Sequence, residues 1–413
     1  MGFVDIMKAY DSVQQELLWK ILKQIGLPPR FIKMTKLIYN SIECKVKIGG
    51  KYSEPFRVLT GLLQGNCTST DFFNIFFCIV IEVTLQRLQN TGVQMRCRFQ
   101  QNFFKALKST AKGEVFTILE LLFADDTLFC TNTEQDLQLV IETFSEVCGW
   151  FGIQISVKKT EVMIQRPLSD PTLQDPDITI NGEQLSVCSS FKYLGNMITN
   201  DALLNVEIKT RIGQATAAFS KLFQRVWSNK SLSLKTKIST YKTSVLPILI
   251  QDCETWHCKR THFKKLEGCQ YRFWRTIIGK KWEDFISYLS IFEILETKKI
   301  SITAIEPLVR MKRLQCLCKI LKMDNSRLLR KVAFSETIEG KRKKGRPLLS
   351  WRQAISQDIK AFHLENIYTL SECDQIKQLS QTPLHLEIAD MEWKQTVKQK
   401  KLTKNTKSKL ILI

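Results

Sequence analysis

Two aspartates, Asp125 and Asp126, stand side by side inside the apolar stretch LLFADDTLFC. At about 5 Å and an effective dielectric near 20, their carboxylates repel by roughly 3 kcal/mol. A third acid, Asp5, interrupts the other hydrophobic strand-like segment, FVDIMKAYD. If the two segments are neighbours in one sheet, Asp5 and Asp125 project together from the strand ends. Divalent cations held there cancel the repulsion, and hard carboxylate oxygens suit Mg²⁺. Two such ions lower the pKa of an attacking hydroxyl and stabilise the leaving oxygen of an in-line phosphoryl transfer. An Asp-Asp dipeptide alone usually marks a solvated turn. The apolar flanks and the second acid-bearing strand set this one apart.

The elements that must position these acids are legible in outline. GFVDIMKAYDSV opens as a short strand and turns helical at Ser12, where Ser12 and Gln15 are spaced as a capping box. Val13, Leu17, Leu18, Ile21, Leu22 and Ile25 recur at helical spacing, and Gly26 with Pro28-Pro29 stops the run. A second helix is predicted over about Arg30 to Asn40, a hairpin turning at Gly49-Gly50, and an apolar helix from about Asp71 to Leu88. GEVFTILELLFADDTLFCTN has two extended halves with the aspartates between them. A helix from about Glu134 to Trp150 follows, with Leu137, Val140, Ile141, Phe144 and Val147 on one face. RPLSDPTLQDPD reads as a loop, ITINGEQL and SSFKYLGNMI as strands, and the chain beyond about residue 202 as helical. The order is α+β, with a split βαβ arrangement in the first two hundred residues.

Composition narrows the class of partner. Lys and Arg number 61 against 40 Asp and Glu, a net charge of +21 over 413 residues. A surplus of that size points to a polyanion, nucleic acid before anionic membrane. Thirteen scattered cysteines fit reduced intracellular thiols and not a disulfide framework, and no secretory leader is expected. The longest apolar run, Phe72 to Ile81, is shorter than the ~18 residues of a membrane helix. The expected location is therefore intracellular, nuclear or cytoplasmic, with no membrane partner. Five of the six residues from Lys341 to Arg346 are basic, which suits a linker, an anion-binding segment or a nuclear signal. The tail KQKKLTKNTKSK has the composition of a flexible segment.

Five segments, FVDIMKAYDSV, GLLQGNCTSTDFFNIFF, LLFADDTLF, GIQISVKKTEVM and FKYLGNMI, occur in the order of the palm motifs of reverse transcriptases. The chain most resembles those of non-LTR retrotransposons. The resemblance continues through RIGQATAAF and CETW and more loosely through RFWRTIIG and GRPLLSW. It implies a right-hand polymerase palm with an antiparallel sheet over 1–200, thumb-like helices over 201–252, and a basic helical region over 253–413. The implied activity is RNA-directed DNA synthesis from dNTPs on an RNA template and DNA primer, with two Mg²⁺ ions or Mn²⁺ in their place. Asp5 and Asp125 would be the principal metal ligands, joined by Asp126 and the backbone carbonyl of Ile6. Tyr10 falls where the family places a ring under the incoming sugar, excluding a ribose 2′-OH. Gln64 and Gly65 match the segment that places template and nucleotide. Lys159 matches a general acid for the departing pyrophosphate. Phe191, Tyr193, Leu194 and Gly195 match the hairpin that grips the primer end.

Departures from the family pattern are also visible. The first acid box starts at residue 3, so the fingers region that grips the triphosphate is expected to be absent. The alternative reading is then a catalytically inactive, nucleic-acid-binding remnant. Thr70 and Asp71 replace a usual proline and an apolar residue, Phe123 replaces a commoner tyrosine, and Ser156 a frequent asparagine. Cys253, His257, Cys258 and His262 offer two Cys and two His, but their spacing fits no standard zinc module, and a structural role is the default. No Walker-type glycine loop or hydrolase triad signature is present.

Overall fold

The computed structural model describes residues 1–40, 42–88, 91–97, 113–165, 174–338 and 349–362. The loop expected at 166–177 falls largely outside these residues, and the Lys341 to Arg346 run and the Lys-rich tail lie wholly outside them. The chain divides into two compact units. The first is chiefly residues 1–95 and 115–191, and the second chiefly 192–336 with the described residues from 349 onward.

The first unit begins with β1 (Gly2–Val4), α1 (Ala9–Ser12), α2 (Gln15–Gln24) and α3 (Pro29–Asn40). Next come β2 (Glu43–Cys44), β3 (Lys47–Ile48), β4 (Lys51–Tyr52) and β5 (Phe56–Arg57), nested as the expected hairpin, with β3 on β4 and β2 on β5. Helix α4 (Cys67–Arg87) leads to β6 (Val93–Cys97), β7 (Glu114–Ile118), β8 (Glu120–Phe123) and β9 (Asp126–Phe129). Then follow α5 (Glu134–Trp150), β10 (Glu161–Val162), β11 (Thr179–Ile180), β12 (Glu183–Gln184) and β13 (Ser186–Val187). The central sheet has the order β13–β10–β1–β9–β8. Only the β10–β13 pair in it is parallel. Phe3 sits opposite Leu128 and Val4 opposite Thr127, which fixes where the strands end.

Helices α4 and α5 pack together within the core of this unit. Phe73, Phe76, Phe77 and Val80 from α4 meet Val140, Ile141, Phe144 and Val147 from α5, the face expected from spacing. The Phe144 ring stands edge-on to Phe77 and Phe129, at 6.3 and 5.1 Å between centroids. Asn66 caps α4 by accepting from the Thr68 N–H, and Thr133 caps α5 by accepting from Asp136. As a whole, α4 is long and apolar enough to cross a membrane, a property that the run from Phe72 to Ile81 concealed. Here Phe72, Phe73, Phe76, Phe77, Val80 and Ile81 are buried in the unit's own core.

The Ser12–Gln15 capping box does not form. Ser12 Oγ instead donates to the Ala9 carbonyl at 2.9 Å and closes the single turn of α1. Val13, fully buried, takes an extended conformation that breaks the helix, so α2 starts afresh after Gln14. Gln15 is used elsewhere: its Nε2 donates to the Gly61 carbonyl at 3.0 Å.

The second unit contains most of the hairpin of β14 (Ser190–Tyr193) and β15 (Asn196–Thr199), then α6 (Asn205–Lys221), α7 (Leu234–Thr240) and α8 (Leu246–Leu249). Helices α9 (Arg260–Ile277), α10 (Tyr288–Thr297), α11 (Ile305–Lys322), α12 (Leu328–Ala333) and α13 (Trp351–Ala361) complete it. Phe219 stacks between Trp227 and Phe273, at 4.6 and 4.4 Å. Arg313, with a side chain 2% exposed, donates to both oxygens of Asp358 and to the Trp256 carbonyl, while Trp351 Nε1 donates to the Glu254 carbonyl. These bonds tie the CETW and GRPLLSW segments to one another. All cysteines among the described residues are free.

Gly61 is a tight backbone joint of the first unit. Its φ is +86°, and an added Cβ would lie 2.8 Å from Asp11 Cα and 2.9 Å from Asp11 O. Its N–H donates to Val13 O, and the next N–H, of Leu62, donates to Tyr10 O, both at 2.8 Å. Gly61→Ala should therefore destabilise the chain by roughly 2–4 kcal/mol, read as a lowered urea midpoint. An unchanged midpoint would show that the joint is slack.

Candidate active site

β1 and β9 are adjacent and antiparallel, so the C-terminal end of one meets the N-terminal end of the other. Asp5 follows Val4 at that edge, and Asp126 opens β9 directly after the hairpin tip formed by Ala124 and Asp125. Ala124 has φ of +55°, a left-handed conformation that costs an alanine roughly 1 kcal/mol. The sheet thus gathers the three acids that the sequence singled out. Asp5 and Asp125 are half-buried and Asp126 is exposed.

The electrostatics record their closeness. The Asp126 carboxyl is held above the ordinary carboxylate range by loss of solvation first, then by the negative charges of Asp125 and Asp5. Asp5 Oδ2 is buried without a hydrogen bond, and Lys159 Nζ lies 3.5 Å from it. Lys159 is otherwise largely exposed, with a side-chain exposure of 72%. The expected general acid thus sits against the first acid of the site.

The segment carrying Lys159 also holds the backbone of Asp5. The Asp5 N–H donates to Thr160 Oγ1 at 3.3 Å, and its carbonyl accepts from Ser156 N–H at 2.8 Å. Met7 N–H donates to Gln154 O, so the bridge between Ile6 and Ile155 uses the carbonyl of Asp5 and the amide of Met7. The Ile6 carbonyl takes no part in that bridge and points away from it. Thr160, fully buried, is a positioning residue that motif reading passed over. Only its place next to Lys159 could have drawn attention to it.

The donor set is one of hard oxygens, which fits Mg²⁺ better than a soft or imidazole-seeking ion. The orphaned Asp5 Oδ2 fits a cation as well. Among the described residues, no group of three or more His, Cys, Asp or Glu side chains is closed around a point as a formed metal centre. The Cys and His set beyond residue 252 is likewise not one. His262 uses Nδ1 to accept from the Lys259 N–H and faces Asn205 Oδ1 with Nε2, at 3.3 and 3.1 Å. Burial pushes the Cys253 and Cys258 thiols up to about 12.

The remaining expected residues fall into two groups. Tyr10 is half-buried, and its ring stacks on Phe73 at 4.6 Å with planes 17° apart. Gln64 is exposed and lines a cavity of about 220 Å³ together with Asp11, Gln15, Tyr39 and Leu62. Gly65, at φ +88°, has open space beside it and leads into the capped start of α4. Phe191 belongs to the first unit and stacks on Phe3 at 4.0 Å. Tyr193, Leu194 and Gly195 belong to the second, where Leu194 and Gly195 form a two-residue turn with φ of +48° and +88°. Positive φ at both positions is the primed-turn geometry that suits a right-twisted hairpin.

An acid whose pKa is higher folded than unfolded binds its proton more readily when folded. Its contribution is therefore lost as pH rises from the ordinary carboxylate range through the raised value. Without divalent cations, Asp126→Asn should raise the melting temperature at pH 7.5 by roughly 1–2 °C and leave it unchanged near pH 3. A lower melting temperature at pH 7.5 would contradict the crowding of charge at this edge.

Residues 1–198 match the family model of reverse transcriptase (RNA-dependent DNA polymerase). The RNA-directed DNA polymerase from mobile element jockey of Drosophila funebris is 24% identical over 288 residues, 68% of this chain and 28% of that protein. The Pol polyprotein from the type-1 retrotransposable element R2 of Bradysia coprophila is 24% identical over 163 residues, covering 40% and 16%. The chain thus spans 28% and 16% of the length of these relatives. A telomerase chain from Candida albicans, solved with a TWJ fragment of telomeric RNA, aligns over 73% of this chain and 49% of its own. Its TM-score is 0.33 at 15% identity, too slight to bear on the site. Residues 1–198 are a reverse transcriptase domain of the non-LTR retrotransposon kind.

Proposed function

We propose that this domain catalyses RNA-directed DNA synthesis, adding nucleotides from dNTPs to a primer 3′-OH on an RNA template. The observation that carries the reading is the meeting of Asp5, Asp125 and Asp126 at one sheet edge, felt in the raised Asp126 carboxyl. In the reaction the 3′-oxygen bonds to the α-phosphorus, the bridging P–O bond to the β-phosphate breaks, and the hydroxyl proton departs. Asp5, Asp125, Asp126 and the Ile6 carbonyl would hold two Mg²⁺ ions. Bound there, Mg²⁺ supplies a more acidic 3′-hydroxyl and charge compensation on the triphosphate.

The chain's own groups have distinct tasks. Lys159, drawn to the acids by Asp5, is within this site to protonate the departing pyrophosphate. Tyr10, its ring braced by Phe73, presents a wall to the sugar and excludes a 2′-OH by contact. Gln64 and Gly65 offer an exposed side chain and an open backbone to the template and base pair. The hairpin through Phe191, Tyr193, Leu194 and Gly195 grips the primer end as part of a palm. The helices that follow act as a thumb that tracks duplex phosphates, a role in keeping with the net charge of +21.

The purified chain should extend a DNA primer on an RNA template with dNTPs and Mg²⁺, and Asp125→Ala should lower the rate at least about 10³-fold. Extension that survives Asp125→Ala, or none by the intact chain, would overturn the proposal. In the active chain, Tyr10→Val should raise ribonucleotide incorporation on the order of 10²-fold, measured by alkali-sensitive product. Unchanged sugar discrimination would remove Tyr10 from the site.

A further inference from the structure

Arg211, on α6, is 1% exposed, and its side chain is the hub of a buried polar network. A guanidinium has five N–H donors, and here five acceptors face them. Nε donates to Glu207 Oε1 at 2.5 Å. Nη1 donates to Gln251 Oε1 at 2.7 Å and to Gln214 Oε1 at 3.5 Å. Nη2 donates to the Gly195 carbonyl at 2.9 Å and to Asn196 Oδ1 at 2.7 Å.

Glu207, one helical turn earlier, completes the grip. It is 2% exposed, and its Oε2 accepts from the Met197 N–H at 2.7 Å. Asn196 Nδ2 donates in turn to Asp252 Oδ2 at 3.0 Å. The hairpin backbone is therefore held at Gly195 and at Met197, and the side chain between them is held twice. This pair does not secure the fold by hydrophobic means, since an apolar pair of similar volume often serves stability as well as a buried ion pair. The network fixes geometry instead. What it fixes is a turn with left-handed backbone at both Leu194 and Gly195, displaying a leucine that is 42% exposed.

We propose that Arg211, acting with Glu207, is a positioning residue that sets the Leu194-Gly195 tip in the shape that meets a primer terminus. This rests on the polymerase reading above. Lysine cannot replace the fork, because a single ammonium reaches neither both sides of the turn nor Glu207 and Gln251 together.

The test uses the full chain and two variants, Arg211→Lys and Asn196→Ala. The second leaves the Arg211–Glu207 pair in place and keeps the proposal testable if the first does not fold. Hydrogen exchange of the free protein should show the 193–197 amides exchanging about tenfold faster in a folded variant, with α9 amides unchanged. Binding is then compared between an RNA–DNA duplex with a recessed DNA 3′ end and a blunt duplex of equal length. The intact chain should prefer the recessed end. The variants should lose about tenfold of that preference with blunt binding unchanged. Unchanged hairpin exchange in a folded variant would overturn the holding role. Faster exchange with the preference intact would overturn the primer role alone. No preference in the intact chain would overturn the polymerase reading and this inference with it.

Discussion

The sheet edge of the first unit holds three carboxylates against their mutual repulsion. The Asp126 carboxyl is held above the usual range by lost solvation first and by the charges of Asp125 and Asp5 second. A chain free to relax would separate the three. The register of β1 on β9, with Val4 opposite Thr127, prevents it. So do the bonds from Ser156 and Thr160 to Asp5 and the helices packed against the sheet. Lys159 offsets part of the charge from outside. Its exposure makes that compensation weak and reversible.

The second unit applies the same economy of charge differently. Arg211 and Arg313 are both nearly inaccessible; Arg211 faces five acceptors, and Arg313 donates from each of its three nitrogens. In water such pairs contribute little. Where solvent is excluded they hold backbone at particular angles, because leaving one donor unmet is costly. Around Arg211 the backbone so held is a hairpin turn, and around Arg313 it is the carbonyl of Trp256. The aromatic stack through Phe219 supplies bulk beneath this polar layer.

Much of this was legible before any coordinates. The strand, hairpin and helix order emerged from periodicity, since α5 and the β8–β9 turn follow local patterns of apolar residues. The adjacency of β1 and β9 was available only as a conjecture drawn from two acids in two apolar strands. Local spacing misled at Ser12, where a three-residue motif suggested a cap and long-range burial of Val13 decided otherwise. Thr160 and Arg211 were invisible as functional candidates because their roles lie in partners 155 and 16 positions away along the chain. A buried arginine has no sequence signature of its own; it looks like any other cation on a basic helix.

The pairing of β1 has a consequence for how the chain comes together during synthesis. Gly2 meets Phe129 and Val162, so β1 has no sheet to join until well over a hundred residues have followed it. At roughly 5–20 residues per second that is a wait of many seconds. Val4 and Ile6 spend it without their final cover, and closing so distant a contact is entropically slow. The helix pair α2 and α3, which contact one another locally, can form during that interval. The acidic edge cannot form before Asp126 and the strand it opens have been made, so no shorter nascent chain presents all three carboxylates at once.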